Sequence, residues 1–303
     1  MKYPESVKKG DVIGIVAPAS AVSAERKEKC IEALENLGFK VKTSDNLTAS
    51  KGGFMAGDEK LRGQLFNEMF ADNEVKAIIC LRGGDGANRV CEFIDRDIIR
   101  KNPKFFMGYS DITSLHLIMN QECNLVTYHG PMVSSNIVEF NDDAKKAFFE
   151  ALEVNDVYEY KEPDGYEIGV AREGKAEGVI TGGNLTVMCA SIGTPYQIQT
   201  DGKILFIEEI GSHIGNVDRL LYQLRNAGLL NNLKGIILGQ FEGGLYDDEN
   251  YKEPEAVLDA IGDIDIPVMY NIQSGHGEPM ITIPLGSICE MNTENKSIVF
   301  RRK

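Results

Sequence analysis

One serine, four histidines and a pair of adjacent glutamates are the residues of this chain whose type and setting best suit chemistry. Ser110 stands in Phe105-Phe106-Met107-Gly108-Tyr109-Ser110-Asp111-Ile112-Thr113, which reads as a short apolar strand, a sharp turn and a helix running from Thr113 to Gln121. A serine at such a corner stands clear of the sheet edge, with helix-terminal N–H groups close by, and that is where a hydrolase holds a nucleophile. The stretch departs from the G-x-S-x-G elbow by having Ile112 where the second glycine would be. Capping of the helix by Ser110 or Asp111 is the competing reading. A serine nucleophile further requires a base, a carboxylate to orient that base, and donors for the oxyanion.

The base must come from His116, His129, His213 or His276. His116 lies inside the helix after Ser110, and His213 sits in a polar loop without distinguishing company. His129 and His276 both follow expected strands, and Gly275 and Gly277 around His276 let the backbone bend and present the ring. Spacing does not choose between these two. For the carboxylate, Glu208 and Glu209 end the apolar run Ile204-Leu205-Phe206-Ile207. A partly buried carboxylate needs a partner, and alternation along a strand lets only one of the two face a given site. The alternative is a surface pair, with Glu209 near Arg219 or His213. A metal site from Glu208, Glu209, Asp218 and a histidine lacks a ligand spacing such as H-E-x-x-H.

Arg82-Gly83-Gly84-Asp85-Gly86-Ala87-Asn88 follows a strand and precedes a helix, so its backbone N–H groups can receive an anion. It is neither G-x-G-x-x-G nor a Walker loop. A phosphate cradle, an oxyanion hole beside Ser110 and a plain tight turn compete. The serine on the neighbouring strand favours the oxyanion role, and a non-catalytic anion-binding protein using Arg82–Asn88 is the reading of another class.

These groups are positioned by strands alternating with helices. Asp11–Ala17, Phe39–Thr43, Val75–Leu81, the Ser110 strand and Leu125–His129 read as strands. Ala24–Leu37, Asp58–Phe70 and Asp142–Leu152 read as helices, with Gly38 closing the first. This spacing implies a mostly parallel, doubly wound sheet, whose sites lie at the carboxyl ends of strands. The Arg82–Asn88 loop, Ser110 and His129 all fall at such ends. Asn155–Tyr166 has no clear period and reads as a linker, giving domains at 1–153 and 168–303 joined by 154–167. The second half is expected to hold strands at Gly174–Thr181, Ile204–Glu208, Gly235–Gly239 and Val268–Asn271, a turn at Gly182-Gly183, and helices at Asn184–Ser191, Asn216–Ala227 and Glu255–Ile261. Its tail is β-rich, at Met280–Pro284, Ile288–Met291 and Ser297–Phe300.

Composition sets the outer limits. At 303 residues, 26% charged and 43% hydrophobic, the chain is an ordinary globular protein of two domains or one large one. No apolar run is long enough to cross a bilayer and Met1-Lys2-Tyr3-Pro4-Glu5 has no signal-peptide core, so a cytoplasmic protein is expected. The six cysteines are scattered without a C-x-x-C pair and are read as buried thiols. A formal net charge of −14 argues against general binding to nucleic acid or anionic membrane.

Taken together, the stretches Gly10-Asp11-Val12-Ile13-Gly14-Ile15-Val16-Ala17-Pro18, Leu81-Arg82-Gly83-Gly84-Asp85-Gly86, Gly108-Tyr109-Ser110-Asp111-Ile112-Thr113, His129-Gly130-Pro131-Met132, Thr181-Gly182-Gly183-Asn184-Leu185, Ile207-Glu208-Glu209 and Ser274-Gly275-His276 resemble the LD-carboxypeptidase family of serine peptidases, which includes the microcin C immunity proteins. They span nearly the whole chain in the family's order. The resemblance implies an N-terminal Rossmann-like domain and a smaller C-terminal β-rich α/β domain, with the site between them and a homodimer as the usual assembly. It implies a triad of Ser110 as nucleophile, His276 as base and Glu208 as its orienting carboxylate. The oxyanion would be held by backbone N–H of Asp111 with Gly84 or Asp85. Arg82, Asn184 and His129 are the expected substrate-binding residues, and Arg82, Arg89 and Arg219 the candidate partners of a terminal carboxylate. The family more often has Asp where this chain has Glu209.

The implied reaction is hydrolysis of the amide between an L-centre and a C-terminal D-amino acid, releasing D-alanine from murein tetrapeptide during cell-wall recycling, with no metal or organic cofactor. The sister activity on peptidyl-adenylates resembles it in triad but stacks the nucleobase on a tryptophan. This chain has no tryptophan, so that role would fall to Tyr or Phe.

Overall fold

The computed structural model describes residues 1–302. The first half runs β1 (Val12–Val16), α1 (Ala24–Asn36), β2 (Lys40–Thr43), α2 (Glu59–Ala71), β3 (Val75–Cys80), α3 (Ala87–Val90), α4 (Arg96–Lys101), β4 (Phe105–Gly108), α5 (Thr113–Gln121), β5 (Thr127–His129) and α6 (Asp142–Leu152). The central strands β1, β3 and β4 are apolar apart from Lys76 at the start of β3, because helices cover both faces of the sheet, as parallel sheets require. One face packs Phe66, Phe70, Phe106 and Ile118, and the other Ile13, Leu34, Phe105 and Phe148. Ser23 and Asp58 start α1 and α2 by accepting the N–H groups of Arg26 and Leu61.

The second half continues with β6 (Val157–Glu159), β7 (Gly169–Arg172), β8 (Lys175–Asn184), α7 (Leu185–Ala190), β9 (Ile204–Ile210), α8 (Ile214–Asn226), β10 (Gly235–Glu242), α9 (Glu253–Ile261), β11 (Val268–Tyr270), β12 (Ile283–Leu285), β13 (Ile288–Asn292) and β14 (Ser297–Arg301). Two sheets result, a six-stranded one in the order β12-β5-β4-β3-β1-β2 and an eight-stranded one in the order β6-β14-β13-β8-β9-β10-β11-β7. In the first, β2, β1, β3, β4 and β5 are all parallel. In the second, β8, β9, β10 and β11 form a parallel centre between antiparallel edges. The second sheet has eight strands against six in the first.

Three expectations need correction. The linker expected at 154–167 contains β6, which pairs with β14 at an edge of the second sheet. The β-rich tail is shared between the sheets, because β12 leaves the second half and pairs antiparallel with β5. Its Ile283 and Leu285 join the core on one face of the second sheet, which fixes the two halves against each other. Gly182-Gly183 is not a turn, since β8 runs through it. A Cβ on Gly182 would lie 1.9 Å from the Phe206 carbonyl oxygen, and one on Gly183 would lie 2.6 Å from Thr113 Oγ1. Bare backbone there lets β8 lie against β9 and against the start of α5, where the Asn184 N–H donates to Thr113 Oγ1 at 3.0 Å. All six cysteines are free and buried. Among the described residues no helix is long and apolar enough to cross a membrane.

Candidate active site

Ser110 follows β4 with φ +63°, in the left-handed region that side chains beyond Cβ rarely adopt. Such strain persists only where the surroundings enforce it, and it aims the side chain off the strand end. The room usually made by a second glycine comes instead from Gly108, where a Cβ would lie 3.0 Å from Ile112 Cγ2. Gly83 closes the other side, since a Cβ there would lie 2.8 Å from Ser110 Cβ and 3.0 Å from its Oγ. His116 braces the end of β4 from beneath. It donates from Nε2 to the Gly108 carbonyl at 2.8 Å and accepts the Thr127 hydroxyl at Nδ1, also at 2.8 Å. Burial lowers its pKa to about 4, so the ring stays neutral and structural.

The glycine loop lies beside this elbow. Gly84, at φ +115°, passes so close to Ser20 that a Cβ would fall 2.1 Å from the serine Oγ. The Asp85 N–H turns toward Ser20 Oγ at 3.4 Å, and the Ala87 N–H donates to Asp111 Oδ2 at 2.7 Å. The N–H groups of Gly84 and Asp111 make no hydrogen bond within the described residues, so this pair is available to an oxyanion while Asp85 is directed elsewhere. Burial raises the Asp111 carboxyl to about 6. The Ala87 N–H opposes the rise, nearby Asp85 adds to it and Arg62 counters it.

Glu208 is fully buried near the end of β9, and its Oε2 accepts from His276 Nδ1 at 2.7 Å. Burial raises its carboxyl pKa against the lowering effect of the His276 hydrogen bond. The two glycines of the histidine loop have separate tasks. Gly275, at φ +151°, leaves space for Glu208 Oε2, which would be 3.2 Å from a Cβ there, and Gly277 leaves space for Glu242 Oε1, 2.3 Å from a Cβ. Gln240 holds the loop by accepting the Gly277 N–H at 3.0 Å and donating to the carbonyl of Pro279 at 3.2 Å. The ring of Tyr109, the residue before Ser110, meets the His276 ring edge to face at 4.9 Å. Among the described residues no hydrogen bond joins Ser110 to His276, a bond that in ligand-free enzymes often tightens only when substrate arrives.

Glu209 is not a surface residue. It is buried on the opposite face of β9, its Oε2 accepting from Thr186 N–H (2.8 Å) and Thr186 hydroxyl (2.6 Å) and its Oε1 from Asn184 Nδ2 (3.3 Å) and Ile210 N–H (3.0 Å). A cavity of about 840 Å3 opens beside the elbow, lined among others by Ser110, Gly84, Asn184, Glu209, Arg89 and Tyr196. Asn184 thus lines the cavity, and the two other residues expected to bind substrate, Arg82 and His129, do not. Arg82 is exposed and lies off the cavity, whose only lining cation among the described residues is Arg89. His129 is fully buried behind Tyr109 and Phe206, at ring distances of 5.9 and 5.0 Å, with neither nitrogen hydrogen-bonded among the described residues, and it does not line the cavity. Burial drives its pKa far down. Arg219 donates to Asn216, and His213 starts α8 and pairs with Asp247. Sequence reasoning passed over Gln240 and Tyr109. Gln240 carries no sequence signal, whereas Tyr109 could have been found from its place at the elbow. Among the described residues no cluster of His, Cys, Asp or Glu is arranged to hold a metal.

Residues 13–130 match the LD-carboxypeptidase N-terminal domain and residues 177–291 the LD-carboxypeptidase C-terminal domain. The chain belongs to the LD-carboxypeptidase family. A Bacillus subtilis (strain 168) relative named "Probable murein peptide carboxypeptidase" is 37% identical over 98% of this chain and 93% of its own. The solved structure of the microcin C7 self-immunity protein MccF in complex with aspartyl sulfamoyl adenosine superposes with a TM-score of 0.92 at 26% identity, covering 100% of this chain and 99% of that one. A muramoyltetrapeptide carboxypeptidase from Oxalobacter formigenes superposes at 0.82 and 26%, covering 95% and 97%.

Proposed function

We propose that this member of the family is a serine LD-carboxypeptidase that releases D-alanine from murein tetrapeptide. The observation that carries the reading is the 2.7 Å bond between His276 Nδ1 and the buried Glu208, held against Tyr109 next to the strained Ser110. Glu208 keeps the proton on Nδ1, leaving Nε2 free to take the Ser110 proton as Oγ attacks the scissile carbonyl. The oxyanion is received by the N–H groups of Gly84 and Asp111. The imidazolium then protonates the leaving amine of D-alanine, and a water activated by the same ring hydrolyses the acyl-enzyme.

The cavity is large enough for the peptide that precedes the scissile bond, and Arg89 is its one lining cation among the described residues. Arg89 makes no ion pair and no side-chain hydrogen bond among the described residues, which suits it to a substrate carboxylate. On this reading the enzyme works in cell-wall recycling as a cytoplasmic homodimer, and light scattering of the purified protein tests the assembly. Cleavage of peptidyl-adenylates is the second reading, favoured by likeness to MccF bound to a sulfamoyl adenosine. Tyr196 is the candidate stacking face, although the Arg96 guanidinium already lies 5.6 Å from its ring. Incubating the protein with murein tetrapeptide and, separately, with an aspartyl adenylate analogue distinguishes the two. Release of D-alanine is expected, and turnover of the nucleotide conjugate alone would overturn the proposal.

A further inference from the structure

Arg62 of α2 is 1% exposed, carries a full charge and makes no ion pair among the described residues. Its Nη1 donates to the carbonyls of Pro18 and Gly86, the latter at 2.8 Å, its Nη2 meets Met55 Sδ at 3.4 Å, and its Nε has no partner. A buried guanidinium without a contacting carboxylate is a costly arrangement, and apolar residues of similar size often replace buried charges without loss of stability. Something other than stability has to account for it.

The Gly86 carbonyl and the Ala87 N–H are the two ends of one peptide group. Arg62 holds the carbonyl end, and the Asp111 carboxylate holds the N–H end at 2.7 Å. A buried cation and a nearly buried anion therefore grip the same peptide along its dipole. That peptide closes the glycine loop two residues after Gly84, and Asp111 itself follows Ser110. The two N–H groups left for an oxyanion, on Gly84 and Asp111, sit on the two chain segments that this grip joins.

We infer that Arg62 and the Asp111 side chain are positioning residues that lock the Gly86–Ala87 peptide and so set the spacing of the oxyanion donors against Ser110. The inference rests on the serine mechanism proposed above. Donors of this kind act on charge that develops only in the transition state, and losing one costs about 10²–10³ in kcat. A displacement of about 1 Å costs up to roughly 10². Loosening the grip should therefore reduce kcat by roughly 10- to 100-fold and leave KM within about threefold, because ground-state binding does not use the oxyanion hole.

The test compares wild type with Arg62→Met, which keeps length and burial and removes charge and donors. Phosphonylation of Ser110 by a fluorophosphonate probe, followed by mass spectrometry, is measured beside turnover and thermal melting. Reduced kcat and slowed labelling at an unchanged or raised melting temperature are expected, an outcome that a purely structural arginine would not give. Labelling and kcat equal to wild type in folded Arg62→Met would overturn the inference. Failure of the wild type to label at all would instead sink the serine mechanism. If Arg62→Met does not fold, Asp111→Ala, which removes the acceptor of the Ala87 N–H, carries the same expectation and the same refutation. In a double-mutant cycle the two changes should be strongly non-additive, since they release one peptide; full additivity counts against the grip.

Discussion

Replacing Glu208 by Gln isolates what the buried carboxylate does for His276. The side chain keeps its size, and the site is close-packed, since a Cβ on Gly275 would already lie 3.2 Å from Glu208 Oε2. Glu208 uses Oε2 on His276 Nδ1 at 2.7 Å, and its Oε1 is buried without a partner. The amide introduced by Glu208→Gln would have two orientations. With oxygen toward His276 the correct tautomer survives, but the amide NH2 lies buried with nothing to donate to. Such an unmade bond costs about 1–3 kcal/mol. With NH2 toward His276 the bond is kept, Nδ1 becomes an acceptor and Nε2 carries the proton, so the ring cannot take the proton of Ser110. The second orientation wins by that margin, which alone lowers the competent fraction roughly 5- to 150-fold. Loss of the negative charge that stabilises the imidazolium adds to this. The corresponding swap in another Ser–His–carboxylate triad lowers kcat about 10⁴-fold, and Glu208→Gln should fall between about 10² and 10⁴. D-alanine release from murein tetrapeptide is the assay, with circular dichroism and thermal melts run alongside. A folded Glu208→Gln protein within threefold of wild type would refute the tautomer argument.

Three further outcomes follow from the same geometry. Glu209→Gln must set its NH2 against the Thr186 or the Ile210 N–H, so the melting temperature should fall by several degrees while kcat changes less than about tenfold; a large kcat loss at unchanged stability would assign Glu209 to the chemistry. Gly83→Ala drives a methyl to about 3 Å from Ser110 Oγ and should cut kcat by roughly 10²-fold in a protein that still folds, as near-normal turnover would contradict. Asp111 is raised from 3.8 to about 6 in the folded protein, so it binds its proton more tightly folded than unfolded. Its contribution to stability is full below about pH 4 and is lost as pH rises to about 6, amounting to up to about 3 kcal/mol. Urea unfolding of wild type and Asp111→Asn should show the variant gaining that much relative to wild type across this interval, and a constant difference would show that the carboxyl is not raised.

The strand, turn and helix around Ser110 were legible because an apolar run, a glycine and a helical period follow one another within nine residues. The parallel sheet was legible for the same reason, since alternating elements leave one-dimensional traces. Partners distant in sequence leave none. Residue types marked Glu208 and His276 as candidates, but their contact spans 68 positions and depends on Gln240 holding the loop. Spacing could not set His276 above His129, whose position after a strand looked equally good until burial behind Tyr109 removed it. Glu209 was open to a surface reading because its four donors come from backbone and side chains of β8, α7 and β9 that no pattern connects. The crossing of β12 into the first sheet was hidden because a three-residue strand reads the same whichever sheet it joins. Arg62 sits in α2 beside Leu61 as an ordinary charged residue of a helix, and only its depth in the fold reveals it.

The central claim is that the hydroxyl of Ser110 is the nucleophile. The most direct measurement is kcat for D-alanine release by purified Ser110→Ala, shown by its melting curve to be folded. The account predicts a loss on the order of 10⁴–10⁶ with tetrapeptide binding nearly unchanged, the range seen on removing a triad serine. Hydrolysis at the wild-type rate by that variant would contradict it.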